Sequence, residues 1–392
     1  MFETEEQTAL RAAVAALGQK YGHEYYLDKA RSGGHTDELW AEAGRLGYLG
    51  VNLPTEFGGG GGGITELTIV TEELAAAGCP LLLLVVTPAI AGTIIAKHGT
   101  SEQKAEILPG IADGSHKIAF AITEPEAGSN FHRLGTVAQR DGDDWVINGR
   151  KCFISGVDEA RTILVVARIG AGQGGSADAA ATGRLQPALF LVPADAVGLT
   201  KSVIDMAIVS PEKQWMLYLD DVRVPASALV GGSTEAGLPA LFAGLNPERI
   251  TVAAMGNGNA RYALGRASSY VSSRTVWGRP IGTHQGIAHP LAHAQIQVEL
   301  ARLMTTKAAM LYDAGRDLEA GVAANMAKYA AAEAAWLAVD TSIQAHGGNG
   351  MTTEYGVATM LGGVRSMRIA PVTREMILNF VAQHVLGQQK SY

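Results

Sequence analysis

The chain has 392 residues, a formal net charge of −7 and only two cysteines, Cys79 and Cys152. That balance excludes a basic nucleic-acid footprint or attraction to an anionic membrane, and the cysteines exclude a disulfide framework or thiolate zinc cluster; both suit a reducing cytoplasmic setting. The length and an apolar fraction of 47% point to two or three domains with large buried interfaces.

The opening Met1-Phe2-Glu3-Thr4-Glu5-Glu6 is acidic and lacks the basic and apolar regions of a secretory signal. Leu10, Val14, Leu17 and Tyr21 recur at helical spacing, as do Ile69, Leu74 and Ala77, so residues 1–116 read as an α-helical domain. Six glycines at 58–63 have no Lys-Ser/Thr pair after them and no βαβ pattern around them, which predicts a flexible connector and not a phosphate loop. The most apolar run, 81–95, is shorter than the roughly 20 residues that span a bilayer and is broken at Pro88. It reads as a buried helix pair, with no integral membrane segment.

Residues 117–234 change character. Short β-prone segments at 118–123, 145–148, 152–155, 162–167, 188–192 and 215–219 are separated by turns such as Asp141-Gly142-Asp143. No long helical pattern intervenes, so this is a middle antiparallel β domain. Residues 170–183 are a Gly/Ala/Ser-rich insert that reads as a surface loop.

Helical periodicity returns over 235–392, with helices predicted at 248–273, 288–314, 323–345 and 374–386. The third has few charges on any face and must be buried. The fold class is therefore α+β: an N-terminal α-helical domain, a β domain and a C-terminal four-helix bundle. In the first of these four helices, Asn246 reads as an N-cap and Pro247 as the first helical position. Glu248 then falls in an acidic first turn at the positive end of the dipole. His289 and His293 lie four apart but have no third ligand, so no metal site is predicted.

Ala121-Ile122-Thr123-Glu124-Pro125-Glu126-Ala127-Gly128-Ser129-Asn130 resembles the acyl-CoA dehydrogenase signature A-x-T-E-P-x-A-G-S-D. Three further matches follow in the family's order. They are Asn148-Gly149-Arg150-Lys151-Cys152-Phe153-Ile154-Ser155, then Arg274-Thr275-Val276-Trp277-Gly278-Arg279-Pro280-Ile281 with His284-Gln285, then Gln344-Ala345-His346-Gly347-Gly348-Asn349-Gly350. The family's architecture is also α, β, α.

The resemblance implies non-covalent FAD between the β domain and the C-terminal helices. Thr123 and Ser155 match hydroxyls that hydrogen-bond the flavin, Phe153 matches the aromatic packed on it, and Phe120 and Ile122 belong to the same cofactor set. Ser129 lies at a turn whose amides suit a phosphate or the thioester ligand's pantetheine arm. Arg274, Gln285, Gln344 and Gly348 match the group that holds the adenosine-diphosphate half, largely from a neighbouring subunit, and Trp277, Thr373 and Glu375 complete the cofactor set. The resemblance thus implies a homotetramer built as a dimer of dimers, with electron-transfer flavoprotein as electron acceptor. Gly256-Asn257-Gly258-Asn259 follows no strand, so it is no dinucleotide fingerprint; it is expected to allow close approach of a flavin or a helix.

The chemistry so implied removes the pro-R α-proton of an acyl thioester and needs a positioned carboxylate. Most of the family carries it in a Y-E-G-T motif. Here Arg368-Ile369-Ala370-Pro371-Val372-Thr373-Arg374-Glu375 puts Pro371 at that position, and proline has no titratable group. A branch with isovaleryl- and long-chain-type enzymes carries its base at the start of an earlier helix in an x-E-R-x-x-x-A context, which Glu248-Arg249-Ile250-Thr251-Val252-Ala253 resembles. Glu248 is the candidate base, and Arg249 and Ser129 are candidate substrate-binding residues. The helix start and Arg249 are expected to depress the Glu248 pKa, with burial prevailing only once substrate is bound. Glu354 and Glu375 are the fallback carboxylates. Ala370-Pro371 leaves a small, apolar wall compatible with branched or bulky acyl groups. The alternatives are an acyl-CoA oxidase or flavin monooxygenase on the same fold, or one subunit of a heteromeric or non-catalytic flavoprotein.

Overall fold

The computed structural model describes residues 3–169 and 186–390, so the insert predicted at 170–183 falls outside the described residues. The N-terminal part carries α1 (Glu5–Ser32), α2 (Asp37–Arg45), α3 (Ile64–Ala76), α4 (Thr93–His98) and α5 (Ser101–Asp113). α1 starts at a capping box in which Thr4 and Gln7 satisfy each other's backbone amides.

Two expectations for this region need correction. The glycines at 58–63 are a packed loop and not a flexible connector. A Cβ at Gly59 would lie 2.2 Å from the Leu53 carbonyl oxygen, and the amides of Gly60, Gly61 and Gly62 bond the carbonyls of Gly50, Leu53 and Val51. The loop delivers the chain to α3, whose amides at Ile64 and Thr65 each donate to the Asp313 carboxylate at 2.8 Å. A protein carboxylate thus occupies the anion position that a phosphate loop leaves for ligand. The 81–95 run is likewise not a helix pair. A wide π turn over Val85–Gly92 carries the helix through Pro88 and straight into α4. The wider turn makes room for the proline ring and its missing N–H.

The sheet contains β1 (Ile118–Ala121), β2 (Val137–Asp141), β3 (Asp144–Ser155), β4 (Thr162–Ile169), β5 (Pro187–Pro193), β6 (Leu199–Ile204) and β7 (Gln214–Pro225). Its order is β1-β4-β2-β3-β7-β6, with β5 also on β4. The β2–β3, β3–β7, β6–β7 and β4–β5 pairings are antiparallel as expected, while β4 runs parallel to both β1 and β2. Parallel pairing requires cover on both faces, and β1 and β4 have it. Ile118, Phe120, Leu164 and Val166 join the helical core, whereas Ala119, Ala121, Ile163 and Val165 join the sheet's own core.

The C-terminal part carries α6 (Gly237–Ser273), a two-stranded ribbon of β8 (Thr275–Val276) and β9 (Arg279–Pro280), α7 (Gln285–Asp313), α8 (Asp317–His346), α9 (Leu361–Ser366) and α10 (Arg374–His384). α6, α7 and α8 pack on one another, and α6 and α7 also pack on α3, so the two helical regions share one apolar core. The Gly256-Asn257-Gly258-Asn259 run serves helix approach: a Cβ on Gly258 would lie 2.3 Å from the Glu72 carbonyl oxygen of α3. Beside it, Glu72 accepts from Arg261 and Arg302, each at 2.7 Å. His289 and His293 are exposed on α7. Among the described residues no helix is long and apolar enough to cross a membrane.

Candidate active site

A cavity of about 1740 Å³ lies between the sheet and the C-terminal helices. Single ligands usually occupy roughly 300–1,000 Å³, so this one has room for two ligand-sized bodies. The sheet side presents Phe120, Ile122, Thr123, Ser129, Phe153 and Ser155, and the helical side Glu248, Arg249 and the segment 370–373.

A bulge builds the sheet side. β3 and β7 lose register between Lys151 and Ile154, and the Cys152 amide leaves the ladder to bond the Thr123 carbonyl at 2.9 Å. Phe153 takes φ 57°, an uncommon left-handed value for a bulky residue, and its ring turns into the cavity. Ser155 Oγ is bonded to Nε2 of Gln214 at 2.9 Å. Beneath them Lys151, fully buried, donates to the Ile122 carbonyl at 3.1 Å and to Glu124 at 2.8 Å. Burial works to raise the Glu124 pKa, but Lys151, the Thr136 side chain and the amide of Gly135 bring it below the usual carboxylate value. This glutamate anchors the motif and does not line the cavity.

Glu248 is positioned differently from the sequence expectation. α6 begins at Gly237, so Asn246 is not an N-cap and Pro247 is not in a first turn. An internal proline leaves the carbonyl four residues earlier without its donor. Here that carbonyl is Ala243, and the buried Tyr312 of α7 donates its hydroxyl to it at 3.0 Å. The helix continues through Pro247, and the Asn246 side chain accepts instead from Arg249 Nη1 at 3.2 Å.

Glu248 therefore sits about three turns into α6, remote from free amides. Among the described residues its carboxylate has no hydrogen-bond partner; it is half-buried and faces the cavity. Burial pushes its pKa up to about 7 against the opposing charges of Arg249 and Lys328. The expectation that burial would prevail only with substrate bound is corrected: it prevails in the chain alone, because no helix start acts against it. Arg249 is held to its own turn, with Nη1 also donating to the Leu245 carbonyl at 3.3 Å.

Pro371 lines the cavity with Ala370, Val372 and Thr373. Thr373 caps α10, accepting from the Met376 amide at 3.3 Å. Glu375 is exposed and faces a separate shallow pocket with Arg365, Arg368 and Arg374, and Glu354 is exposed and lines neither pocket. The fallback carboxylates are thus both outside the cavity. Asp205, Glu212 and Asp317 share the cavity lining with Glu248. Glu212 is occupied by the Leu82 amide at 3.0 Å and the Ser210 hydroxyl at 2.7 Å, while Asp205 and Asp317 are exposed.

Arg274, Trp277, Gln285, Gln344 and Gly348 are all exposed, and a single chain does not bring any of them to the cavity. Sequence reasoning missed Lys328, a buried lysine on α8 whose Nζ donates to the Val372 carbonyl at 2.5 Å. The signal was available: one lysine at the centre of a helix with few charges on any face.

Three family profiles match the chain, described as acyl-CoA dehydrogenase N-terminal domain (residues 4–115), middle domain (119–222) and C-terminal domain (235–386). Acyl-CoA dehydrogenase FadE12 of Mycobacterium tuberculosis is 61% identical over 390 residues, covering 100% of this chain and 98% of the relative. The mitochondrial long-chain specific acyl-CoA dehydrogenase of Sus scrofa is 29% identical, covering 97% and 86%. The crystal structure of a glutaryl-CoA dehydrogenase from Mycobacterium smegmatis in complex with FADH2 matches with a TM-score of 0.88 at 26% identity, covering 100% of this chain and 96% of the other.

Proposed function

Because the chain belongs to the acyl-CoA dehydrogenase family and shares its FAD-dependent oxidation of acyl-CoA thioesters, we propose that Glu248 is the base that removes the substrate's α-proton. One observation carries this reading. Glu248 is the cavity carboxylate that is half-buried, free of hydrogen-bond partners among the described residues, and raised to about 7.

The cavity residues fit the cofactor. Phe153 offers an aromatic face, Phe120 and Ile122 apolar walls, and Thr123 and Ser155 hydroxyls for the polar edge of a flavin. Bound FAD supplies the hydride acceptor for the β-hydrogen, and loss of the α-proton and β-hydride leaves a trans-2-enoyl-CoA. Glu248 takes the α-proton onto a carboxylate oxygen, and a pKa near neutrality lets it both accept and release that proton at working pH. Arg249, fixed to its own helix turn, keeps positive charge beside the base, and Ser129 receives the thioester arm. The apolar side chains of Val85, Val86, Ile90, Leu245 and Val252 exclude water from the acyl chain.

Arg274, Gln285, Gln344 and Gly348 bind the adenosine-diphosphate half of FAD held by a neighbouring subunit, within a homotetramer, and Trp277 belongs to the same cofactor set. Their exposure away from the chain's own cavity supports this assignment. Thr373 and Glu375 complete the cofactor set, and electron-transfer flavoprotein is the electron acceptor. The Ala370-Pro371 wall suits branched or bulky acyl groups.

The test is a Glu248→Gln variant loaded with FAD and mixed anaerobically with straight and branched acyl-CoAs. Cofactor retention with loss of flavin bleaching is expected. Bleaching at the wild-type rate overturns the assignment.

A further inference from the structure

Two lysines in this protein are almost fully buried, Lys151 at 0% and Lys328 at 1% exposure. Lys151 is matched by Glu124 at 2.8 Å. Lys328 is not: among the described residues no carboxylate comes within salt-bridge distance of it, and its hydrogen bond goes to the neutral Val372 carbonyl. A buried ammonium without a contacting counter-ion is costly, and an apolar side chain of similar volume would serve the core better. Packing therefore does not explain a lysine at this position.

The charges around Lys328 come from three helices: Glu248 and Arg249 on α6, Glu333 on its own helix, and Glu375 on α10. Two of the carboxylates are engaged elsewhere. Glu333 accepts from Arg368 at 2.9 Å and lies 3.6 Å from Arg374, while Glu375 lies 3.4 Å from Arg374. Arg249 is tied to Leu245 and Asn246. That leaves Glu248 as the carboxylate whose charge Lys328 balances, and Val372, Pro371 and Glu248 all line the same cavity.

We propose that Lys328 is a positioning residue of the active site: it ties the 370–373 wall to α8 through Val372 and supplies the counter-charge with which Glu248 ionises in the cavity. The inference rests on Glu248 being the base. Burial brings the Lys328 pKa down to about 8, with Glu248 working to raise it. The ammonium is thus retained at neutral pH and is lost a little above it, so the charged pair exists in a narrow window.

The experiment uses FAD-loaded Lys328→Arg, Lys328→Gln and Lys328→Met. Anaerobic flavin reduction by butyryl-, octanoyl- or isovaleryl-CoA, whichever reduces the wild type fastest, is followed against pH, with FAD content and melting temperature measured alongside. Lys328→Gln keeps a donor for Val372 but removes the charge, so the acid limb of the rate profile should move up by about one pH unit. Lys328→Arg should hold the wild-type limb. Lys328→Met should show the same shift and a raised KM as the wall loosens; it replaces the Gln variant if that one fails to load FAD. An acid limb in Lys328→Gln that overlays the wild type, even with a lowered melting temperature, overturns the inference. An inactive Glu248→Gln beside an unshifted Lys328→Gln removes the lysine's role alone, whereas an active Glu248→Gln removes the base reading as well.

Discussion

The hydroxyl of Tyr312 donates to the carbonyl of Ala243 at 3.0 Å, replacing the hydrogen bond that Pro247 cannot make. A helix that local signals would start at Asn246 instead starts at Gly237, and the carboxylate following the proline is carried into the cavity from a helix interior.

Tyr312→Phe should leave a buried carbonyl unsatisfied and lower stability by about 1–3 kcal/mol. Pro247→Ala introduces an N–H aimed at the same carbonyl, so it should recover most of that loss in the Tyr312→Phe background. A double-mutant cycle by chemical denaturation measures the coupling. Purely additive effects would contradict the replacement.

The raised pKa of Glu248 has two consequences. The base must be ionised to act, so kcat/KM should climb with pH through about 7, and at one unit below it the rate should be roughly a tenth of the plateau. For stability the sign is opposite. The folded carboxyl binds a proton that the unfolded one has released above its ordinary 4.5, so this group's contribution falls as pH rises from 4.5 through about 7. Denaturation of the cofactor-free protein should show that slope, and Glu248→Gln should reduce it, leaving the share due to Glu212, which burial also raises to about 7.

Phe153→Ala removes the ring that the β3 bulge turns into the cavity. Losing an aromatic contact worth about 1 kcal/mol should weaken FAD retention by roughly fivefold. Cofactor release during dilution, followed by flavin fluorescence, measures it.

Two glycines of α6 should respond in opposite directions. Gly258→Ala forces a Cβ to within 2.3 Å of the Glu72 carbonyl oxygen and should destabilise by about 2 kcal/mol or more. Gly265 is exposed with nothing within 4 Å of an added Cβ, so Gly265→Ala should stabilise by about 0.5–1 kcal/mol. Melting curves of the two variants decide it.

If Arg274 serves the cofactor of a neighbouring subunit, Arg274→Ala and Glu248→Gln affect different copies of the site. Each variant alone should be inactive, and oligomers reassembled from a mixture should regain turnover. Failure of mixed oligomers to regain any would place Arg274 in the same copy of the site as Glu248 and overturn the neighbouring-subunit assignment.

The cavity residues on the sheet side were legible because they sit in contiguous motifs. Phe120 to Ser129 and Lys151 to Ser155 are local in sequence, and the bulge that displays Phe153 lies inside one of them. β2 and β6 were not legible. Their residues are mostly exposed, so they carry no apolar alternation for periodicity to detect.

By itself the sequence determined the α, β, α order, the motif residues around the cavity, and the candidacy of Glu248 once Pro371 had removed the usual carboxylate. Each of these depends on neighbours in the chain or on residue chemistry. Tertiary structure decided what depends on partners distant in sequence. Tyr312 lets α6 pass through Pro247, Asp313 caps α3 in place of a phosphate, and Lys328 reaches Val372 and the field of Glu248. Propensity assigned Glu248 to a helix start, with a pKa depressed until substrate binds. Burial in the folded chain reverses that sign, because desolvation outweighs the neighbouring charges once the free amides are about three turns away.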